Sequence, residues 1–277
     1  MKTKLFSYNQ LDTPIHRLSG LTKLIGFLLL TFATMFSYDI RTIFGIMVFS
    51  LFILKLSQIK YSQIRLMIIY VAIFIAINAI ITFLFSPEEG VKIYGTRHEI
   101  VHLFGKYTLT QEQLFYQLTK LLKYISVIPL GIVFLLTTNP SEFAASLNKV
   151  GVNYKAAYAV SLTLRYFPDI QRDYRDISLA QQARGLEMSK KAKFKDRVKN
   201  SLLIIIPLIF STLDRIENIS NAMDLRGFSK EKTRTWYSAK KMSKTDYIAI
   251  IICIIIFVFS IYVSVYINKS RFYNPFI

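Results

Sequence analysis

The sequence predicts an all-α polytopic membrane protein with about five transmembrane helices and a long helical stretch outside them. Two observations on composition and pattern carry this. Hydrophobic residues make up 53% of the 277, with a mean hydropathy of +0.37, more apolar than a soluble domain of this length. These residues also come in blocks. Residues 66–85 (LMIIYVAIFIAINAIITFLF) and 247–267 (YIAIIICIIIFVFSIYVSVYI) carry no charge. At ~1.5 Å rise per residue, each block is long enough to cross ~30 Å of hydrocarbon.

The chain opens with a polar stretch, MKTKLFSYNQLDTPIHRLSG, and no cleavable signal peptide is expected there. Residues 24–36 and 43–54 are shorter uncharged runs, which span only if Lys23, Arg41 and Lys55 reach the membrane surface from their ends. The run at 114–136 carries Lys120 and Lys123, so its first half must lie near headgroups or face protein. Core helices are the alternative reading of these three runs. With 66–85 and 247–267 they make five spans and three regions: a membrane domain at 1–138, a middle region at 139–245, and a last span with its tail at 246–277.

Charge orients the spans. Residues 140–245 hold 20 Lys and Arg against 10 Asp and Glu, within a net charge of +18. With that stretch inside the cell, five spans place the N-terminus (Lys2, Lys4, Arg17, Lys23) and the 55–65 loop inside as well. The 86–112 loop then lies outside, with Lys92, Arg97 and Lys106 against four acids. The short loops thus follow the positive-inside tendency. Basic residues facing anionic lipid account for the excess charge, and no nucleic acid is expected.

The middle region reads as three helices. Asn139-Pro140 breaks the preceding helix, Ser141 can cap the next, and Phe143, Leu147 and Val150 recur at helical spacing before Gly151. A second helix runs from about 154 to 184 through Pro168, and a third from about 194 to 226 through Pro207. Both begin apolar and end polar, and both finish on Arg-Gly. DISLAQQARGL (176–186) aligns with NISNAMDLRGF (218–228), with Arg184 and Arg226 42 positions apart. An arginine beside the unpaired carbonyls of a last turn, followed by glycine, is ordinary capping chemistry. Alternatively, each helix presents a guanidinium, a rigid fork of donors, at its tip. The repetition favours the second reading and suits a pair of similar grooves on a dimer.

Other chemistry is thin. No G-x-x-x-x-G-K-S/T segment is present, so no nucleotide site is expected on this chain. Cys253, the single cysteine, excludes disulfides within one chain. His98 and His102 flank Glu99 and read as a solvated helical turn rather than a metal site. Asn78 is the one obviously polar group in the middle of its span, and one helix–helix hydrogen bond would account for it. No chain of ionisable residues runs through the spans.

At this point the residues resemble a known family: the transmembrane T component of energy-coupling factor transporters, related to the cobalt-transport membrane subunit. DTPIHRLSGLTKL (12–24) resembles the family's pre-span segment. YTLTQEQL (107–114) resembles the entry to its fourth span, with Gln113 where glycine is commoner. LTTNPSEF (136–143), LRYFPDIQRDYRDISLAQQARG (164–185) and AMDLRGF (222–228) follow in family order. The last two resemble the arginine motifs of the family's coupling helices: Ala183-Arg184-Gly185, and Leu225-Arg226-Gly227 with leucine in place of the commoner alanine.

The resemblance implies long cytoplasmic coupling helices in a bacterial or archaeal cell membrane. It implies a non-catalytic scaffold that docks two ABC-type ATPase subunits through these motifs and holds a membrane-embedded S component. ATP and magnesium would be bound by the ATPases, and this chain would bind no cofactor. The cargo class is a vitamin, a precursor or a metal ion. The small and apolar upper halves of the coupling helices (Ala156, Ala157, Ala159, Leu203, Ile206) are candidates to meet the S component, or to pack on the chain's own spans. A stand-alone permease, or a membrane anchor with a basic cytoplasmic region, remains the alternative.

Overall fold

The computed structural model describes residues 11–104, 107–187, 194–228, 230, 235–237 and 239–276. Lys2, Lys4 and Lys106, used above for orientation, lie outside these. Among the described residues the chain is helical apart from one hairpin. It divides into two units, 1–142 with 240–277, and 143–239.

The first unit begins with a short turn of helix, α1 (Pro14–Arg17), started by the Thr13 side chain and by proline in its first turn. Ser19 caps α2 (Gly20–Phe36), and Asp39 caps α3 (Ile40–Leu56). The tight turn between them, with Ser37 and Asp39 fully buried, limits each helix to 17 residues. At ~1.5 Å per residue that is ~26 Å, short of the hydrocarbon thickness. α4 (Tyr61–Phe85) follows, then α5 (Glu89–Tyr94). The hairpin of β1 (Glu99–Phe104) and β2 (Tyr107–Thr110) is antiparallel. Thr110 caps α6 (Gln111–Thr137).

After α6 comes α7 (Pro140–Lys149), which crosses from the first unit into the second. The second unit holds α8 (Tyr154–Ala183) and α9 (Phe194–Leu225). The chain then returns to the first unit for α10 (Lys244–Tyr262), which a π-helical turn at Val263–Ile267 extends.

All five apolar runs are therefore helices. Three of them, α4, α6 and Lys244–Ile267, are long and apolar enough to cross a membrane by themselves. The core of the first unit lies where α2, α6 and α10 meet, at Leu30, Leu130 and Cys253. A second cluster joins Ile64 to Ile132 and Leu136. α4 meets α6 along one edge and exposes Ile69, Tyr70, Ile73, Ile77 and Ile80 elsewhere, as a lipid-facing helix would.

Four expectations change in detail. Asn139 rather than Ser141 caps α7: its side-chain oxygen accepts the Ser141 N–H at 3.0 Å. The 98–102 stretch is no helical turn. His102 lies in β1, and the His98 ring nitrogen Nδ1 meets Glu112 Oε1 at 2.6 Å. Antiparallel pairing with β2, which sets His102 opposite Thr108, outweighs the i, i+4 spacing there. Asn78 donates no side-chain hydrogen bond among the described residues. Gln117 and Lys120 instead tie α6 to α4, donating to Ala79 O at 3.3 Å and Thr82 Oγ1 at 2.8 Å. The outer-loop region also contains α5 and the hairpin, where the sequence suggested a plain loop.

Candidate functional site: the two arginine tips

The last turns of α8 and α9 are built alike. At the end of α8, the Gly185 N–H donates to Gln182 O at 3.0 Å and the Leu186 N–H to Gln181 O at 3.1 Å. At the end of α9, the Gly227 N–H donates to Asp224 O at 2.9 Å and the Phe228 N–H to Met223 O at 3.0 Å. Both are complete Schellman caps, with Arg184 and Arg226 as the last residue before the turn. The glycines sit at φ +89° and +67°, in the left-handed region that favours glycine.

These caps do not need arginine. α7 closes with the same pair of bonds, from Gly151 to Asn148 O and from Val152 to Leu147 O, both at 3.1 Å. There the residue in the arginine's position is Val150. Backbone and glycine alone satisfy the carbonyls, which leaves the guanidinium groups free of that task. Arg184 and Arg226 are exposed, and among the described residues neither side chain makes a hydrogen bond or ion pair. Ala183 and Gly185 are exposed beside Arg184, while Leu225 beside Arg226 is 90% exposed and Gly227 is partly covered.

α8 and α9 pair antiparallel. Tyr158 near the start of α8 packs on Phe228 after α9, with ring centroids 4.6 Å apart, and Tyr154 on Trp236 at 5.3 Å. At the other end, Asn200 Nδ2 donates to Glu187 O at 2.9 Å. Between these ends, Arg215 Nη2 donates to Asp173 Oδ2 at 2.6 Å, with both side chains about two-thirds covered. Asp173 and Arg215 are 42 residues apart, the offset that also relates Arg184 to Arg226. Each stands eleven positions before its tip arginine. The helices therefore meet at equivalent points of the repeat, and the tips lie on opposite sides of that meeting point. Eleven residues are ~16 Å of rise, so the two arginines are up to ~33 Å apart.

Nothing local to either helix signals this brace. Asp173 and Arg215 each sit among several charged neighbours, and only the 42-residue offset singles them out. Of the candidates on the upper halves, Ala156, Ala159, Leu203 and Ile206 are exposed within the described residues, whereas Ala157 is fully buried. Leu202, Ile205, Ile209 and Phe210 extend the exposed apolar surface of α9. Pro168 and Pro207 lie inside continuous helices. No group of three or more His, Cys, Asp or Glu that could hold a metal occurs among the described residues.

Comparison with known proteins identifies the family. The sequence profile of the cobalt transport protein family, CbiQ, matches residues 12–237. An energy-coupling factor transporter transmembrane protein EcfT of Streptococcus equi subsp. equi is 25% identical over 265 residues, covering 90% of this chain and 91% of that protein. An EcfT of Thermotoga maritima is 24% identical over 248 residues, covering 86% of each. A putative ABC transporter ATP-binding protein of Bifidobacterium longum is 26% identical over 243 residues; the match takes in 84% of this chain and 30% of that longer protein. With most of its length matched by the family profile, and both arginine tips inside the match, the chain belongs to the cobalt transport protein family.

Proposed function

We propose that this chain is the transmembrane scaffold and coupling subunit of an energy-coupling factor importer. Arg184 and Arg226 would each enter a groove on one of two ABC-type ATPase subunits. The observation that carries the reading is the pair of identically capped arginines, without a side-chain partner among the described residues, related across the Asp173–Arg215 pair. A device with approximate two-fold symmetry suits a partner that is itself a dimer. The likeness to a protein named a putative ABC transporter ATP-binding protein adds support, because the match takes in only 30% of that longer chain.

In this reading the ATPases bind ATP and magnesium, and this chain contributes no catalytic group. Nucleotide-driven closure of the ATPase dimer moves the grooves, and α8 and α9 carry that motion to a membrane-embedded S component. The exposed apolar residues of the upper halves, Ala156, Ala159, Leu203 and Ile206, are its candidate contacts. The cargo is a vitamin, a precursor or a metal ion, recognised by the S component. The N-terminus and the 139–245 region are cytoplasmic, in keeping with the loop charges.

The test is retention of ATPase subunits on the tagged chain. A guanidinium at the desolvated centre of an interface typically costs about 2 kcal/mol or more on truncation. Arg184→Ala and Arg226→Ala should each weaken retention, roughly thirtyfold in affinity by that figure, and the double variant should abolish it. Arg→Lys should rescue poorly, since an ammonium cannot reproduce the fork. Membrane insertion should be unchanged. If the double variant keeps its ATPases, the arginines do not dock.

A further inference from the structure

Two stretches that resemble the family, 12–24 and 136–143, have no part in docking at the arginine tips. The structure brings them together at one end of the first unit. Lys23, 8% exposed, donates from Nζ to Thr137 O at 2.7 Å and to His16 O at 3.4 Å. Thr137 is the last residue of α6, so the lysine satisfies a carbonyl at the negative end of that helix. Asp246, 1% exposed, accepts from the backbone N–H of Ser19 and of Ser243, each at 2.8 Å. One carboxylate thereby serves the positive starts of both α2 and α10.

Glu142 and Lys240 complete the arrangement. Lys240 Nζ lies 3.0 Å from Glu142 Oε1 and donates to His16 O at 3.5 Å. Glu142 is 8% exposed. Glu142, Lys240 and Asp246 are also the charged groups that act on the Lys23 ammonium, so two cations and two anions balance in one partly buried cluster.

The positions of Glu142 and Lys240 in the chain matter more than their charge. The chain leaves the first unit after Glu142 and re-enters it at Lys240, so the ion pair joins the only two places where the backbone passes between the units. The same His16 carbonyl accepts from both Lys23 and Lys240.

We infer that the Glu142–Lys240 pair, seated on Lys23 and His16, is a clasp that positions both roots of the α8–α9 unit, so that movement of that unit is passed to the spans and not absorbed at its two attachments. This inference rests on the proposed function. It concerns transmission, however, and ATPase binding is a separate readout. With the clasp open, each root can swing independently. The ATPases should still bind and hydrolyse ATP, but the displacement should no longer reach the membrane helices in one direction.

The experiment uses the full complex in nanodiscs, with Cys253 replaced by alanine and spin labels at Leu179 of α8 and Tyr61 at the start of α4. Both sites are exposed. The distance between the labels is measured with and without ATP and vanadate. ATPase retention and hydrolysis are measured on the same samples. Glu142→Lys and Lys240→Glu each place like charges together, the exchange of both restores the pair, and Lys240→Ala removes the half-exposed partner without burying a new charge.

The expected result is a nucleotide-dependent shift in the unsubstituted complex, its loss or broadening in the three single variants with ATPase retained, and its recovery in the exchanged pair. A wild-type shift in the single variants overturns the clasp. So does loss of the ATPases in step with the shift, failure of the exchange to recover it, or a distance that ignores nucleotide in the unsubstituted complex. Failure of the docking reading shows elsewhere, as ATPase retention on the Arg184/Arg226 double variant.

Discussion

Asp173 and Arg215 occupy equivalent positions in a repeat of 42 residues, and they bond to each other across it at 2.6 Å. An antiparallel pair of like helices that meets at equivalent points has an approximate two-fold axis at the meeting point. The axis relates Arg184 to Arg226.

The brace is partly exposed, so its worth to stability is modest, ~1 kcal/mol or less. Its geometric role should be larger. Asp173→Arg sets two guanidinium groups against each other and should lower the melting temperature of the purified complex and its ATPase retention. Exchange of both residues should recover most of the loss. A double-mutant cycle on melting that returns no coupling between 173 and 215 would show that the pair does not set the crossing.

Gly185 and Gly227 are expected to resist replacement by alanine, as the glycine of any left-handed helix cap does. The positive φ at each would cost an L-residue about 1 kcal/mol. Among the described residues, a Cβ at Gly185 meets open space, while at Gly227 its nearest neighbour is the Lys230 side chain, at 3.2 Å. The backbone is thus the main obstacle. Gly185→Asn should be better tolerated than Gly185→Ala, since asparagine adopts the left-handed region more readily. Binding of ATPase subunits to the two variants, compared at equal expression, tests this order.

Orientation is open to labelling. In a background without Cys253, a membrane-impermeant maleimide applied to intact cells should reach cysteine at Val101 in β1 and at Ser270 in the tail. It should not reach cysteine at Lys195 or Lys199 near the start of α9. The opposite pattern would invert the whole arrangement.

Acid should act through Asp39. The carboxylate is fully buried, and burial alone would raise its pKa. Hydrogen bonds from Arg41 and Asn268 outweigh that and hold it below the ordinary carboxylate value. The folded chain therefore takes up this proton less readily than the unfolded one. The stability that Asp39 contributes is complete above the unfolded value of ~3.9 and is lost as pH falls through the lower folded value. Melting curves of wild type and Asp39→Asn should differ at pH 6 and converge in strong acid. A constant difference down to pH 2 would remove Asp39 from the pH response.

Much of this was legible in advance, for physical reasons that differ by region. α4 and the final span announce themselves because uncharged runs of that length have few other homes. α8 and α9 were legible from proline, glycine and the switch from apolar to polar halves. The hairpin and α5 were not, because short elements in a polar loop depend on partners elsewhere. Glu112, fully buried at the start of α6, gathers His98 and Thr96, and nothing local to residues 96–98 signals it. The arginine tips were visible as a repeated motif. The crossing that sets their spacing was not, because an ion pair between distant helices leaves no trace in either helix alone.

The approximate symmetry is broken where the tips differ most, at Ala183 and Leu225. A two-fold partner can meet a pseudo-two-fold helix pair in either of two orientations, and identical tips could not choose between them. An exposed leucine on one side and an alanine on the other make the orientations unequal in energy. A homodimeric partner would be indifferent to this, since rotating it by half a turn changes nothing. A partner made of two different chains would be keyed, with one chain always beneath α9. The side chain at 225 would then decide handedness in the assembly, and exchanging residues 183 and 225 would turn the partner around.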